Sequence, residues 1–541
     1  TGNWYDNVIH RSNYPYGETL HWTRPLDVVL LAGAYLLTPF QGFEQALLTW
    51  GIIISPILGV LWLFALFWAT RSVMNNRSRL ILWLLFISQS VLLQVFFFGR
   101  PDHHSLLLLL FIILLGCLFR MDDNFSPKYM ILGGFVSALA MWVSVESIFA
   151  IIMVFMTLGV CWIIRGDKYA NILSKYSLSL FFFSAIFVLV ERPLVSILLV
   201  EYDKISIAHL FVFMLAATAS HILTLSKNAV PSSKLIQLFL LLIVSGAVIY
   251  LVFPAFYQGP MAGVNKDIVP IWLDNVREVQ PVWSLDVYHK IIIIGSIALS
   301  CIYLLVFGMK RLVSERPQLF YTLICGFIIF LPLGIYQIRM DYYLLTITSI
   351  VLSQCLDDII SLISNSRISI MWKPPLRIAV TVLFVLVLPG IGIIATPSEP
   401  SENKRVDVDL KALSSFLQDY QMANSDALTV LAFIDFGPEL LYRTNYNVIA
   451  TPYHRNDSGI LFTYDVMASD NSDEAFRLLK ERTVDMIIIC PESSEKNFYK
   501  NNNDEPTLYE RMLRGQQPTF LEEMQLPTEL ADQFRVFRFI S

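Results

Sequence analysis

The stretch FFFGRPDHHSLLLLL, Phe96–Leu110, sets Arg100, Asp102, His103 and His104 between two apolar runs. A charge beside hydrocarbon costs several kcal/mol unless it is paired, hydrated or bound to a metal. The stretch therefore predicts the mouth of a membrane-spanning helix, with its polar group facing water at one membrane surface. Asp102 and His104 are two residues apart, close enough for a carboxylate oxygen and an imidazole nitrogen to share one cation in a turn. The same spacing also suits helix capping, with Asp102 as the cap and the histidines at the interface.

The surrounding sequence is of the same kind. Of the 541 residues, 55% are hydrophobic and only 15% charged, and the mean hydropathy is +0.58. A soluble chain carries about a quarter charged residues, so the expected class is a polytopic α-helical membrane protein in contact with membrane lipids. No Lys/Arg-rich block or zinc-knuckle spacing points to nucleic acid. Five of the six cysteines (Cys117, Cys161, Cys301, Cys325, Cys355) sit inside apolar runs and Cys490 ends a strand-like run; they read as packing thiols rather than a disulfide or metal framework.

Twelve apolar segments are long enough to be read as spans of about 30 Å of hydrocarbon: 43–70, 80–98, 105–120, 130–146, 148–165, 178–198, 206–224, 234–254, 290–308, 318–337, 341–362 and 376–396. The segment 25–38 is shorter and reads as an interfacial or re-entrant helix. Basic residues favour cytoplasmic loops, and alternate loops carry Arg71, Arg77, Arg79; Arg120, Lys128; Arg165, Lys168, Lys175; Lys227, Lys234; Lys310, Arg311, Arg316; and Arg367, Lys373, Arg377. That assignment puts the N-terminal segment, the Asp102 loop, the 255–289 loop, Arg339 and everything after residue 397 outside. Three domains are expected: a first external loop with an interfacial helix at 1–42, a transmembrane domain at 43–397, and a soluble extracytoplasmic α/β domain at 398–541. In the last, LTVLAFI, YNVIAT and VDMIIICP read as strands. SDEAFRLLKERT reads as a helix, with acids in its first turn and bases near its end.

Three further external features carry chemistry. The loop 255–289, about thirty-five residues long, holds Asp267, Asp274, Glu278 and Asp286, with Trp272 and Trp283 as interfacial anchors. Loops of this length are often functional lids, although on its own the segment reads more simply as a solvated acidic loop. In YQIRMDYYLL, Arg339 could clamp a diphosphate bidentately or pair with Asp341. The N-terminal GNWYDNVIHRSNYPYGETLHWTRPLD is polar, aromatic and too hydrophilic to span; its acids are Asp6, Glu18 and Asp27.

Together these residues resemble the GT-C glycosyltransferases, and among them the catalytic subunit of the oligosaccharyltransferases of bacterial and archaeal type. That family has thirteen transmembrane helices before its C-terminal domain. Its site uses acids of the first external loop, a D-x-D motif that becomes D-x-H in archaeal members, and a glutamate of the long fifth external loop. Here DHH is similar to the D-x-H form at Asp102 and His104, VREVQP to the loop-five motif at Glu278, and IRMDYYL to the segment whose arginine, here Arg339, contacts the lipid diphosphate. AFIDFGPEL stands where the family has its W-W-D-Y-G acceptor motif. It keeps Asp435 and a glycine but neither tryptophan, and the following ATPYHRN supplies His454 and Arg455.

The resemblance implies a metal-dependent, inverting glycosyltransferase moving a sugar from a polyprenyl-phosphate or -diphosphate donor to an acceptor at the outer membrane face. Its metal, Mg²⁺ or Mn²⁺, would be held by Asp102, His104 and Glu278, with Asp102 and Glu278 catalytic. Arg339 would bind the donor phosphate, and Asp435, His454 and Arg455 the protein or glycan acceptor. The degenerate acceptor motif leaves a glycan, lipid or protein hydroxyl acceptor as the alternative. A lipid-linked sugar flippase is a further alternative, disfavoured because the charged motifs cluster at the outer ends of spans and not at mid-membrane. The expected location is a bacterial inner membrane, with the C-terminal domain periplasmic. The family's first span and first-loop acid would lie upstream of Thr1, so the chain reads as lacking its natural start, with Asp6 a possible substitute for that acid.

Overall fold

Proline and glycine punctuate the helices. Pro25, Pro127, Pro231 and Pro317 each stand in the first turn of a helix, where the missing N–H costs nothing. Gly42, at φ +77°, separates helix Arg24–Gln41 from helix Phe43–Thr70. The computed structural model describes residues 3–122, 126–226, 229–285, 287–387, 408–422, 427–500 and 505–540. Among these the chain divides into two compact units. One comprises Trp22–Gly263 and Glu278–Pro397; the other comprises Thr1–His21, Val264–Arg277 and Ser398–Ser541.

In the first unit, seven helices among the described residues are long and apolar enough to cross a membrane. An eighth is gained if Asn76–Ser88 and Ser90–Phe96, bent by 75°, count as one span. Three shorter apolar helices, Pro127–Val143, Ile207–Leu223 and Ile293–Gly308, follow the same pattern. The polytopic reading holds, and the expected span 80–98 is this broken pair. The expected span 376–396 begins in helix Lys373–Val382 and its end lies outside the described residues. Segment 25–38 is the core of helix Arg24–Gln41, which packs on Phe43–Thr70 through a hydrogen bond from Trp50 Nε1 to the Val29 carbonyl (3.0 Å). The unit border therefore falls at His21–Trp22 rather than after residue 42.

Several basic residues counted as loop charges are buried. Arg120 donates to the carbonyls of Ala69 (3.1 Å), Gly116 (2.8 Å) and Trp68, which closes the C-terminal end of Phe43–Thr70. Arg79 donates to the Phe67 carbonyl (2.9 Å) and Lys234 to that of Trp162 (3.2 Å). Helix ends leave carbonyls without intrahelical partners and carry partial negative charge, so a cation there meets both needs. Side-chain size sets the helix spacing: a Cβ on Gly134 would fall 2.5 Å from Ser179 and 2.7 Å from the Leu180 backbone, so glycine permits the close crossing of Pro127–Val143 and Lys168–Glu191.

The second unit is α/β, as its sequence pattern indicates. Strands β3 (Thr429–Ala432), β4 (Asn447–Val448), β5 (Met486–Ile489), β6 (Leu521–Glu523) and β7 (Arg535–Phe539) form one sheet in the order β4-β3-β5-β7-β6. The pairs β3–β4 and β3–β5 are parallel, and β7 runs antiparallel to both its neighbours. β3 and β5 are buried along their whole length, as expected of central strands covered on both faces. Helix Ser472–Glu481 starts where predicted, with the Asn471 side chain accepting from the backbone N–H of Asp473 (2.9 Å) and Glu474 (3.4 Å).

The N-terminal segment, with its small hairpin of β1 (Val8–Ile9) and β2 (Glu18–Thr19), is pinned to this sheet. Val448 donates to the Arg11 carbonyl (2.7 Å), and the Arg11 guanidinium donates to the carbonyls of Leu441 (2.6 Å), Thr444 (2.7 Å) and Tyr446 (3.1 Å). The 264–277 segment contributes Ile268 and Trp272, which pack with Ile434, Ala450 and Ile460. Trp272 is thus a core residue of this unit and not an interfacial anchor, whereas Trp283 is exposed.

Candidate functional site

Helix His103–Arg120 begins at Asp102, whose extended backbone and short acceptor side chain suit an N-cap; it accepts from the His104 N–H (3.2 Å). Capping fixes the carboxylate above the first turn, where both histidines emerge. His104 Nδ1 lies 3.0 Å from each Asp102 oxygen and His103 Nδ1 lies 3.0 Å from Oδ1. One ligand atom from each of Asp102, His103 and His104 fits within 4.8 Å of the others. Capping and clustering, alternatives in the sequence, are therefore two uses of one carboxylate. Burial opposes its ionisation, but the hydrogen bonds and charges of His103 and His104 outweigh burial and hold the Asp102 carboxyl well below the usual carboxylate range.

Arg100 stands on the other side of Asp102. Its Nη2 lies 3.1 Å from Asp102 Oδ2 and 3.4 Å from Glu278 Oε1. Glu278, half exposed in the short turn Arg277–Val279, thus meets Asp102 through a guanidinium. Asp102 and His104 come together directly, with His103 added; Glu278 joins the charge cluster one residue removed. Asp286, in the same loop, lies outside the described residues.

Arg339 does not pair with Asp341. Its Nε donates to Gln337 Oε1 (3.3 Å), and its charge reaches Glu146. Asp341 is fully buried with neither carboxylate oxygen hydrogen-bonded among the described residues.

In the other unit, Asp435 is exposed in the turn Ile434–Phe436. The buried Glu495 carboxylate holds that turn by accepting from the N–H groups of Ile434 (2.6 Å) and Asp435 (3.3 Å) and from the Tyr499 hydroxyl. A Cβ at Gly437 would meet the Ala450 carbonyl at 2.2 Å. Glycine therefore lets the turn bearing Asp435 lie directly on the segment bearing His454 and Arg455, both half-buried. The His454 ring lies against His21 (4.7 Å) and Tyr453 (4.9 Å).

The donor set of Asp102, His103 and His104 fits a divalent ion. One ionised carboxylate with two imidazoles suits Mn²⁺ or a similar borderline metal better than Mg²⁺, which prefers oxygen alone. The D-x-H spacing alone omits His103 from the ligand set, although both positions of a first helical turn lie beside the cap. Glu146, buried and 3.8 Å from His104 Nε2, joins the site from a segment with no local sequence signal for that contact.

No protein-family model matches the chain, and no curated protein matches it. Solved structures do. The archaeal oligosaccharyltransferase AglB from Archaeoglobus fulgidus, in complex with an inhibitory peptide and a dolichol-phosphate, superposes with a TM-score of 0.68 at 14% identity, over 90% of this chain and 63% of that one. Its apo form gives 0.68 at 13% identity over the same shares. Its complex with Zn and sulfate gives 0.60 at 14% identity, over 90% and 61%. This chain spans less than two thirds of the length of AglB. An apolar multi-helix unit and a small α/β unit, together with these superpositions, establish that the chain shares the fold of AglB over 90% of its length.

Proposed function

We propose that the protein is a membrane glycosyltransferase that moves a sugar or oligosaccharide from a polyprenyl-phosphate or -diphosphate donor to an acceptor at the outer membrane face, in one inverting displacement. The observation that carries the proposal is the Asp102–His103–His104 cluster at a helix mouth on this fold. Asp102, His103 and His104 would hold Mn²⁺ or Mg²⁺, which supplies positive charge opposite the leaving phosphate. Arg100 and Arg339 add fixed positive charge for the same phosphate. The acceptor's nitrogen or oxygen bonds to the anomeric carbon as the carbon–oxygen bond to phosphate breaks. The electron pair leaves with the phosphate, and the nucleophile's proton passes to the Glu278 carboxylate. Asp435, His454 and Arg455 form the proposed acceptor surface.

A dolichol-phosphate and an inhibitory peptide occupy the AglB complex, and an acceptor peptide containing the NVT sequon is tethered in another AglB structure; these favour a lipid-phosphate donor and a protein acceptor. The second reading keeps the donor and replaces the acceptor with a glycan, lipid or protein hydroxyl, favoured by the absence of tryptophan before Asp435. The test is to incubate detergent-purified protein with radiolabelled polyprenyl-diphosphate sugar, Mn²⁺ and membrane extract, and to identify the labelled product. Label on an asparagine side chain supports the first reading; label on a hydroxyl supports the second. Absence of turnover, or full turnover by Asp102→Ala, overturns both. Turnover in detergent, with no second compartment, also excludes pure transport.

A further inference from the structure

Glu146 is costly where it stands. It is buried among apolar side chains in the turn Val145–Ser147 that leads into helix Ile148–Arg165, and a carboxylate there persists only if it is engaged. Its Oε1 accepts a hydrogen bond from the Tyr343 hydroxyl (2.8 Å). The Tyr343 ring is fixed in turn, stacked on Phe330 at 5.2 Å and edge-on to Phe111 at 5.1 Å. The other oxygen, Oε2, faces His104 Nε2 at 3.8 Å. Nε2 is buried and has no hydrogen-bond partner among the described residues, while Nδ1 of the same ring is turned to Asp102 at 3.0 Å.

We infer that Glu146 is a positioning residue for the metal centre: it takes the Nε2–H of His104 and so leaves the Nδ1 lone pair facing the ion shared with Asp102. The inference rests on the metal reading proposed above. Metal binding displaces one proton from the His104 imidazolium; the neutral ring that remains carries one N–H, and its placement decides which nitrogen binds the metal. Without Glu146 the proton would favour Nδ1, where Asp102 accepts it, and His104 would present no lone pair to the ion. A metal-bound histidine almost always donates its other N–H to a carboxylate or carbonyl, and loss of that partner costs about 10- to 100-fold in metal affinity. Tyr343 serves the same end one bond further out, by fixing which carboxylate oxygen faces the ring. The inference requires the 3.8 Å separation to shorten to hydrogen-bond length when the ion binds.

The test is the Mn²⁺ binding isotherm of the full chain in detergent, read from the electron paramagnetic resonance signal of free Mn²⁺, alongside thermal unfolding of the metal-free protein. Glu146→Gln is expected to weaken Mn²⁺ by roughly 10- to 100-fold, and Tyr343→Phe by a smaller factor, with metal-free unfolding temperatures that do not track the losses. Glu146→Asp, which keeps the charge on a shorter arm, is expected to recover part of the affinity. Wild-type binding with an unchanged isotherm in Glu146→Gln overturns the inference and leaves the metal centre standing. If wild type binds no Mn²⁺, the metal reading itself falls. Should Glu146→Gln fail to fold, an unchanged isotherm in Tyr343→Phe overturns the inference.

Discussion

Asn456 Nδ2 donates a 2.9 Å hydrogen bond to the buried carboxylate of Glu18, although 438 residues separate them in the chain. Ser12 Oγ (2.5 Å) and the Thr451 hydroxyl donate to the same oxygen. Glu18 thus gathers three buried donors from both ends of the sequence. Glu18→Ala removes the acceptor that all three share, leaving Asn456 only its bonds to Thr451 (3.0 Å) and Ser12 (3.3 Å), and the expected cost is about 3 kcal/mol, roughly a hundredfold in the opened population of this unit. Rates of limited proteolysis within 408–540 measure it; a rate within twofold of wild type contradicts the assignment.

Arg100 repels the cation that Asp102 would bind and attracts the phosphate that would leave. Arg100→Gln should therefore tighten Mn²⁺ about tenfold, the order expected for removing one like charge at this range in a half-exposed site. It should also lower glycosyl transfer. Opposite movement of the Mn²⁺ isotherm and the turnover rate is the signature. Parallel movement would show that Arg100 only holds Asp102 in place.

Glu278 meets Asp102 across Arg100, and the proposed mechanism uses it as the proton acceptor and not as a metal ligand. Glu278→Gln is expected to cut turnover by about 10²- to 10³-fold, the range for loss of a proton acceptor, while shifting Mn²⁺ affinity less than threefold. A loss of metal affinity comparable to that of Asp102→Ala would return Glu278 to the ligand set.

Burial pushes the Glu495 carboxyl up to about 8, against the lowering pull of Tyr499 and the Ile434 N–H, with the Asp435 charge adding to the rise. In the unfolded chain it titrates near 4.5. The folded state therefore binds the proton more tightly, and its stabilisation is fully present below about pH 4.5 and lost as pH rises through 8. The α/β unit should resist proteolysis better at pH 6 than at pH 9, and Glu495→Gln should flatten that slope. An unchanged slope in the variant would assign the pH dependence to another group.

Short-range features of this protein are legible in its sequence. Asp102 and His104 share a helix mouth because capping and first-turn geometry act over three residues, and β3, β4, β5 and helix Ser472–Glu481 follow from apolar runs and an Asn471 cap. The alternation in Arg535–Phe539 carried the same signal for β7, the partner of β5. What sequence did not carry is packing between distant segments. Nothing local marks Glu146 as the neighbour of His104, or Arg100 as the bridge to Glu278. Composition does not change between Arg277 and Glu278, yet the chain passes there from one unit to the other. Arg79, Arg120 and Lys234 read as loop charges because hydropathy registers their sign and not the carbonyls they close.

The α/β unit is assembled from Thr1–His21, Val264–Arg277 and Ser398–Ser541, and pieces that pack together must occupy the same aqueous compartment. Parity follows: any bilayer traversed between His21 and Val264 is traversed an even number of times, and so is any between Arg277 and Ser398. This constraint is independent of where hydropathy places each crossing. Gain or loss of a single crossing in either stretch would strand one piece of the sheet domain on the wrong side.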